Sequence, residues 1–399
     1  MYSPFTSISA RHGILALLII TGSAQAQYAM ASSQGVVAQE VQSAPPAQMP
    51  RAPFPYEVEQ VSFPGGMSGV VLAGTLTRPK TPDPVTAVVL VAGSGKTDRD
   101  ESAYGHKPFL VLADALTRAG YAVLRYDKRG VGQSTGNGRA ATTLDFKADA
   151  LAAINYLRGR PDIDKARIAV VGHSEGGTIA ALMSADPNPP AAAVSLAGMI
   201  APFAEQIIQQ EVTTGHDEGA DVAYGRKVRA YYAKVEAAAR IDNDKQRFAR
   251  MQAISAAWSE EFPQHSSDRK AAMESLLAMP KFIASHWFQT FLRLDVPKAI
   301  GRSEIPMLFL NGSTDHQVAA DPNLRAARLA LGRETPLRHT QLLPELNHLF
   351  QESTSGSGED YDKNTPTPSP VAIHAVIQFL NLALGQGSHR SQQVQRQPK

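Results

Sequence analysis

The chain has 399 residues, 43 % hydrophobic and 19 % charged, a globular composition that excludes whole-chain disorder, collagen and coiled coil. Lys and Arg number 39 against 37 Asp and Glu, a net charge of +2, which leaves no electrostatic footprint for nucleic acid. There is no cysteine, so disulfides, thiolate metal sites and a cysteine nucleophile are excluded.

Residues 1–26 read as a secretory signal peptide. Arg11 and His12 form a short basic region, Gly13 to Ile20 is an apolar run, and Ala24-Gln25-Ala26 is a small-residue cleavage site. An apolar run this short cannot span a bilayer, which needs about 20 residues. The mature protein is expected to begin after Ala26, to be periplasmic or secreted, and to contain no membrane span. Residues 27–55, rich in Ala, Gln, Ser and Pro, read as a flexible linker. Residues 387–399 read as a disordered tail.

From Tyr56 the pattern changes. Val58 to Phe63 and Val70 to Thr77 read as two strands joined by a glycine-containing turn. Thr86 to Val91 is a continuous apolar run, the mark of a strand buried on both faces. A helix over 107–119 ends at Gly120, and a strand follows from Tyr121 to Tyr126. The next helix, about 142–158, is capped by Thr142 or Thr143 with Asp145 in its first turn. Strand Arg167 to Val171, helix Gly177 to Ser184 and strand Ala191 to Ala197 complete this half.

Strands then stop until Ile305 to Leu310. Three or four helices fit the interval. After it come a helix over 322–331, a strand from Thr340 to Leu343 and a closing helix over 369–384. The alternation predicts an α/β fold, a mostly parallel twisted sheet with helices on both faces. Residues 56–198 and 299–386 form its core, and 199–298 a helical insertion.

Gly172-His173-Ser174-Glu175-Gly176 lies between a strand and a helix. A serine on so sharp a turn is held in a strained conformation, with glycines where strand and helix pack too closely for side chains. Ser174 is therefore the expected nucleophile. The same pattern recurs at Gly132-Gln133-Ser134-Thr135-Gly136, but its glycine-rich surroundings make Ser134 part of a structural loop. Gly93-Ser94-Gly95-Lys96-Thr97 looks like the end of a phosphate-binding loop. It lacks the earlier glycine, having Leu90 there, and acidic residues follow it. This loop leaves a core strand at the edge where a second oxyanion donor is needed. The Ser94 N–H is the first choice, Gly95 the runner-up, and the Glu175 N–H the other donor.

A serine hydroxyl needs a general base, and the base an orienting carboxylate. Of the eight histidines after Ser174, His216, His265 and His286 fall in the insertion. His316 directly follows the best acid, His339 precedes a strand, His374 lies in the closing helix and His389 in the tail. His348 follows the last strand on a loop and is the expected base. Asp315 follows strand Ile305 to Leu310 on a short loop and is the expected acid; Asp321 suits a helix cap better. No histidine pair has metal-ligand spacing, and neither a metal nor a cofactor is expected.

These motifs, taken in order, resemble those of bacterial serine carboxylesterases of the α/β-hydrolase superfamily, in a branch related to dienelactone-hydrolase-like and bile-acid-CoA thioesterase-like proteins. The resemblance runs from about Tyr56 to Leu384. Besides the segments already quoted it includes Asp98-Arg99-Asp100, Gly105 to Phe109, Tyr126 to Ser134, Trp287-Phe288 with Phe291-Leu292, Asn311-Gly312, and Leu346 to Gln351. It implies an α/β-hydrolase fold, a Ser174–Asp315–His348 triad, an oxyanion hole completed at Ser94, and a cap over an acyl pocket. Two departures stand at the pocket mouth: Lys96 and His286 each occupy a position where proline is expected.

Trp258, Phe282, Trp287, Phe288 and Phe291 are suited equally to an acyl pocket and to the core of the cap. The basic composition of 221–250 reads as a solvated face, and His173 and the Glu175 side chain as structural. The expected activity is hydrolysis of small carboxylic esters with short- to medium-chain acyl groups. Rival readings are a thioesterase, which export disfavours for CoA, a non-catalytic binding protein, and an aminopeptidase-like enzyme. The last would need an acidic group for the substrate amine, for which Asp98, Asp100, Glu101 and Glu175 are the candidates.

Overall fold

A computed structural model describes residues 48–202, 205–206, 222–260, 284–356, 358–363 and 365–385. The proposed signal peptide, most of the linker and the tail lie outside these residues. The described end of the linker is tied down: Gln48 Nε2 donates to the Pro368 carbonyl at 2.9 Å, and its Oε1 accepts from the Thr367 N–H.

The described residues form one eight-stranded sheet in the order β1-β2-β4-β3-β5-β6-β7-β8. Strands β1 (Tyr56–Pro64) and β2 (Val71–Pro79) pair antiparallel, with Pro64 opposite Val71, and β2 is antiparallel to β4 (Ala122–Tyr126). From β4 through β3 (Val85–Val91), β5 (Ile163–His173), β6 (Ala192–Leu196), β7 (Met307–Gly312) and β8 (Arg338–Leu343), all pairs are parallel. The mostly parallel sheet is thus as expected. Strand β5 starts at Ile163 rather than Arg167 because Val85 and Ile163 extend the ladder past an irregularity.

Period-two alternation puts the two faces of the sheet in different cores. Ala87, Val89 and Val91 face α2 (Thr143–Arg158), α3 (Glu175–Met183), α7 (Val296–Arg302) and α8 (Ala320–Leu331). Val88, Leu90 and Ala92 face α1 (Pro108–Arg118) and α9 (Pro370–Leu384). Thr142, not Thr143, caps α2, and with Asp145 it forms a reciprocal capping box. Asp321 does not cap α8; it lies in the first turn, with Ala319 at the N-cap.

The described part of the insertion contains α4 (Val222–Ala239), α5 (Asp244–Ser259) and α6 (His286–Phe291). Gln289 of α6 donates to the Ala239 carbonyl at 3.1 Å, joining α6 to the end of α4. His286 occupies the first helical position of α6, exposed, where a proline would also fit.

The chain leaves β3 toward β4 on one side, while β5 lies on the other. The carboxyl end of β3 is therefore a switch point, where open α/β sheets leave a crevice for ligands. Just beyond β4, Arg129 and Asp149 of α2 make a two-point ion pair, Nε–Oδ2 2.7 Å and Nη2–Oδ1 2.8 Å, with both side chains buried. Asp149 Oδ1 also accepts the Gly66 N–H at 2.8 Å. Removing one partner of such a pair strands a buried charge. Asp149→Ala is expected to lower unfolding free energy by about 3–5 kcal/mol; chemical denaturation measures this, and a loss under about 1 kcal/mol would contradict the assignment.

Candidate active site

Strand β5 runs into Ser174, whose backbone sits at φ 55°, ψ −119°, the N-cap of α3. The two flanking glycines are dictated by contact. A Cβ on Gly172 would lie 1.9 Å from the Gly176 carbonyl oxygen, and one on Gly176 would lie 1.9 Å from the Val91 carbonyl oxygen. The Ser174 N–H donates to Leu196 O at 2.8 Å and its carbonyl accepts from Thr178 N–H at 3.1 Å. Those bonds hold a conformation that a non-glycine residue seldom adopts.

The loop after β3 comes against this turn. A Cβ on Gly93 would stand 3.2 Å from the Ser174 Cβ. Both polar groups of Gly93 are engaged: its N–H donates to Glu101 Oε1 at 2.6 Å, and its carbonyl accepts from Lys128 Nζ at 2.8 Å. The N–H groups of Ser94, Gly95 and Glu175 donate to no partner among the described residues. Glu175 opens α3, where the first N–H groups lack intrahelical acceptors.

Asp315 and His348 are brought together across 33 residues of sequence: His348 Nδ1 lies 2.8 Å from Asp315 Oδ2. The other carboxylate oxygen accepts the Gln317 and Val318 N–H groups at 2.9 and 2.8 Å. The Asp315 side chain is fully buried. With the Nδ1 proton donated to the carboxylate, Nε2 keeps its lone pair. The His348 loop is shaped by Asn347, whose Oδ1 accepts the Leu349 and Gln351 N–H groups at 3.0 Å each. It packs backbone to backbone on the end of β7, since a Cβ on Gly312 would meet Leu346 O at 1.9 Å.

His316 follows Asp315 with its ring beside Gly356, where a Cβ would stand 3.0 Å from it. His286 and His374 are exposed, and His339 stands on β8 against Phe379, ring centroids 6.0 Å apart. His216, His265 and His389 are outside the described residues. Ser134 is structural: its hydroxyl donates to Asp127 O at 2.7 Å and accepts the Ala73 N–H at 2.9 Å.

Two assemblies of ionisable side chains lie under the site, with partners that the sequence does not reveal. In the first, Glu175 is wholly buried. Its Oε2 pairs with Lys128 Nζ at 3.0 Å, and its Oε1 accepts from Thr143 Oγ1 at 2.7 Å and Trp287 Nε1 at 2.8 Å. Lys128 Nζ also sits 3.9 Å from the centroid of the Phe146 ring. In the second, Glu101 Oε1 accepts from His173 Nδ1 at 3.0 Å, and His173 Nε2 reaches the His348 carbonyl at 2.9 Å. Burial, the largest influence on His173, pushes its pKa down; the Glu101 charge and hydrogen bond, with the His348 carbonyl, outweigh it and raise the pKa above the ordinary value.

The aromatic candidates separate. Trp287 stacks on Phe291, centroids 5.1 Å apart and planes 16° apart, and both adjoin Met199 and Val318. Phe288 is almost completely buried and belongs to no part of that cluster. Trp258 stacks on Tyr231 within the insertion at 4.6 Å; Phe282 lies outside the described residues. Lys96 is exposed on the loop after β3. A cavity of about 510 Å³ lies beside the His348 loop, lined by Leu346, Ser353 and Lys363 among others, and none of Ser174, Asp315 and His348 lines it. Among the described residues no group of three or more His, Asp or Glu side chains converges as metal ligands would.

Comparison with known proteins bears on this arrangement. Esterase EstD of Thermotoga maritima is 38 % identical over 108 residues, 27 % of this chain and 26 % of that protein. An uncharacterized protein of Mycobacterium tuberculosis is 39 % identical over 106 residues, 27 % of this chain and 34 % of its own. The matched region thus spans only about a quarter to a third of these relatives' lengths. The α/β hydrolase GrgF from a Penicillium species superposes with a TM-score of 0.50 at 16 % identity, covering 82 % of this chain and 99 % of the other. That likeness shows the α/β-hydrolase fold. The family model described as X-Pro dipeptidyl-peptidase (S15 family) matches residues 68–327, well over half of the chain. The chain has the α/β-hydrolase fold and belongs to the X-Pro dipeptidyl-peptidase (S15) family.

Proposed function

We propose that this protein is an exported carboxylesterase that works through an acyl-enzyme on Ser174. The observation that carries the reading is the His348–Asp315 bond of 2.8 Å on loops at the sheet edge where Ser174 is held in its strained turn beside Gly93. His348 Nε2 takes the Ser174 proton as the hydroxyl attacks the ester carbonyl, and Asp315 stabilises the imidazolium. The developing oxyanion receives N–H bonds from Glu175 and from Ser94 or Gly95. His348 then protonates the leaving alcohol. A water, deprotonated by the same imidazole, cleaves the acyl-enzyme and releases the acid.

Trp287 and Phe291, with Met199 and Val318, supply an apolar wall suited to a short- or medium-chain acyl group. The choice of ester over a substrate with a free amine rests on the four nominated carboxylates. Asp100 pairs with Arg125 and Lys107, Glu101 bonds His173 and Gly93, and Glu175 bonds Lys128, Thr143 and Trp287. Asp98 is taken up within its own turn by the Asp100 N–H and by the N–H and hydroxyl of Ser102. A second reading, release of an X-Pro dipeptide from a peptide's amino terminus, is favoured by the family match.

The test is hydrolysis of p-nitrophenyl acetate, butyrate, octanoate and palmitate beside an X-Pro p-nitroanilide. Ester turnover is expected, with palmitate the poorest. Ser174→Ala is expected to lower kcat/KM by on the order of 10⁴-fold or more, and Asp315→Asn kcat by about 10⁴-fold. Turnover of the anilide alone would replace the ester reading with the second one; full activity in Ser174→Ala would refute the nucleophile. Export is proposed from residues 1–26 and is tested by the amino terminus of the protein recovered outside the cytoplasm. Gln27 is expected there; a retained Met1 would contradict it.

A further inference from the structure

The His173 ring has two nitrogens, and each faces an oxygen: the Glu101 carboxylate at 3.0 Å and the His348 carbonyl at 2.9 Å. A neutral imidazole has only one N–H, so one of these buried contacts would set two lone pairs against each other. Glu101 Oε1 accepts the Gly93 N–H at 2.6 Å and stands 3.0 Å from His173 Nδ1, a setting that suits an ionised carboxylate accepting from both. Both side chains are about nine-tenths buried, at 8 % relative exposure each. Glu101 itself has φ 53°, a strained backbone for a residue of its kind, held by its N–H bond to Asp98 O at 3.0 Å. A buried carboxylate–imidazolium pair with no net charge satisfies every one of these contacts.

We propose that Glu101 and His173 form a second charged pair that positions the active site from beneath, holding the oxyanion loop through the Gly93 N–H and the general-base loop through the His348 carbonyl. The two loops are far apart in sequence and meet at the residue just before the nucleophile. The inference rests on the esterase reading for its effect on turnover, though not for the charge state of the pair. Glu101 and His173 are positioning residues, since neither reaches the reacting atoms. The charged and titratable groups around His173 are Glu101, the His348 ring at 4.8 Å between centroids, and Asp315; the Lys128–Glu175 pair approaches through the Gly93 carbonyl.

The folded state raises the His173 pKa, so the link and the stability it adds are complete below the unfolded value and are lost as pH rises through the folded one. Glu101→Gln removes the charge that retains the second ring proton, and burial then favours the neutral ring. In the full-length protein acting on p-nitrophenyl acetate, this variant is expected to lower kcat by about 10- to 100-fold with KM little changed. Its alkaline limb of kcat is expected to move to lower pH. An alkaline limb in the same place as in the wild type would overturn the proposal. Should the variant fail to fold, neutron diffraction from wild-type crystals near neutral pH decides the question. Deuterium on both His173 ring nitrogens is expected, and a bare nitrogen would overturn the pair. An enzyme with both deuterons but no ester turnover would sink the esterase reading and leave the charged pair standing.

Discussion

Gly93 is held at both of its polar groups, and the geometry around Ser174 depends on that grip. Its N–H is bound by Glu101, which binds His173, which reaches the His348 carbonyl. Its carbonyl is bound by Lys128, which pairs with Glu175, which accepts the indole N–H of Trp287 in the inserted helices. Two chains of polar contacts thus leave one glycine in opposite directions. One ends on the loop of the proposed base and the other on the wall of the proposed acyl pocket. A Cβ at position 93 would stand 3.2 Å from both Ser174 Cβ and Glu101 Oε1, a tight contact with the nucleophile turn and the grip together.

The residues closing this network come from the end of a single strand. Arg125, Asp127, Lys128 and Arg129 are all buried and reach three segments: Arg125 and Asp127 pair with Asp100 and Arg99 of the loop after β3, Lys128 with Glu175, and Arg129 with Asp149. Such pairs are poor sources of net stability, because desolvation offsets most of the attraction. They are better at fixing relative position, since a buried charge tolerates few alternative partners. The loops carrying Gly93 and Glu101, the Ser174 turn and the start of α2 are registered to one another in this way. Catalysis that relies on N–H groups aimed in advance at a developing charge needs such registration more than it needs extra stability.

Much of this was legible in the sequence, for identifiable reasons. Continuous apolar runs such as Val88–Val91 mark strands buried on both faces. The change of period from two to 3.6 marks the helices between them, and the glycines around Ser174 mark the sharp turn. Chain order and loop position then single out Asp315 and His348, which the fold brings to 2.8 Å. The pairing of charges was not legible. Lys128 and Glu175 are 47 positions apart, and periodicity carries no information about which distant carboxylate meets which cation. A usable signal is present nonetheless: charged residues clustered at and just after the end of an otherwise apolar strand must find partners if they are buried. A lone histidine beside a nucleophile reads as structural in sequence; the meaning of His173 lies in the two oxygens it faces, which only the tertiary structure supplies.

The central claim is that Ser174, and no other serine, is the activated nucleophile. Its most direct test is labelling of the intact protein with a fluorophosphonate, followed by intact-mass measurement and peptide mapping. A single adduct is expected on the peptide carrying Ser174, retained in Ser134→Ala and absent from Ser174→Ala. An adduct on any other residue, or none in a protein that turns over esters, would contradict it.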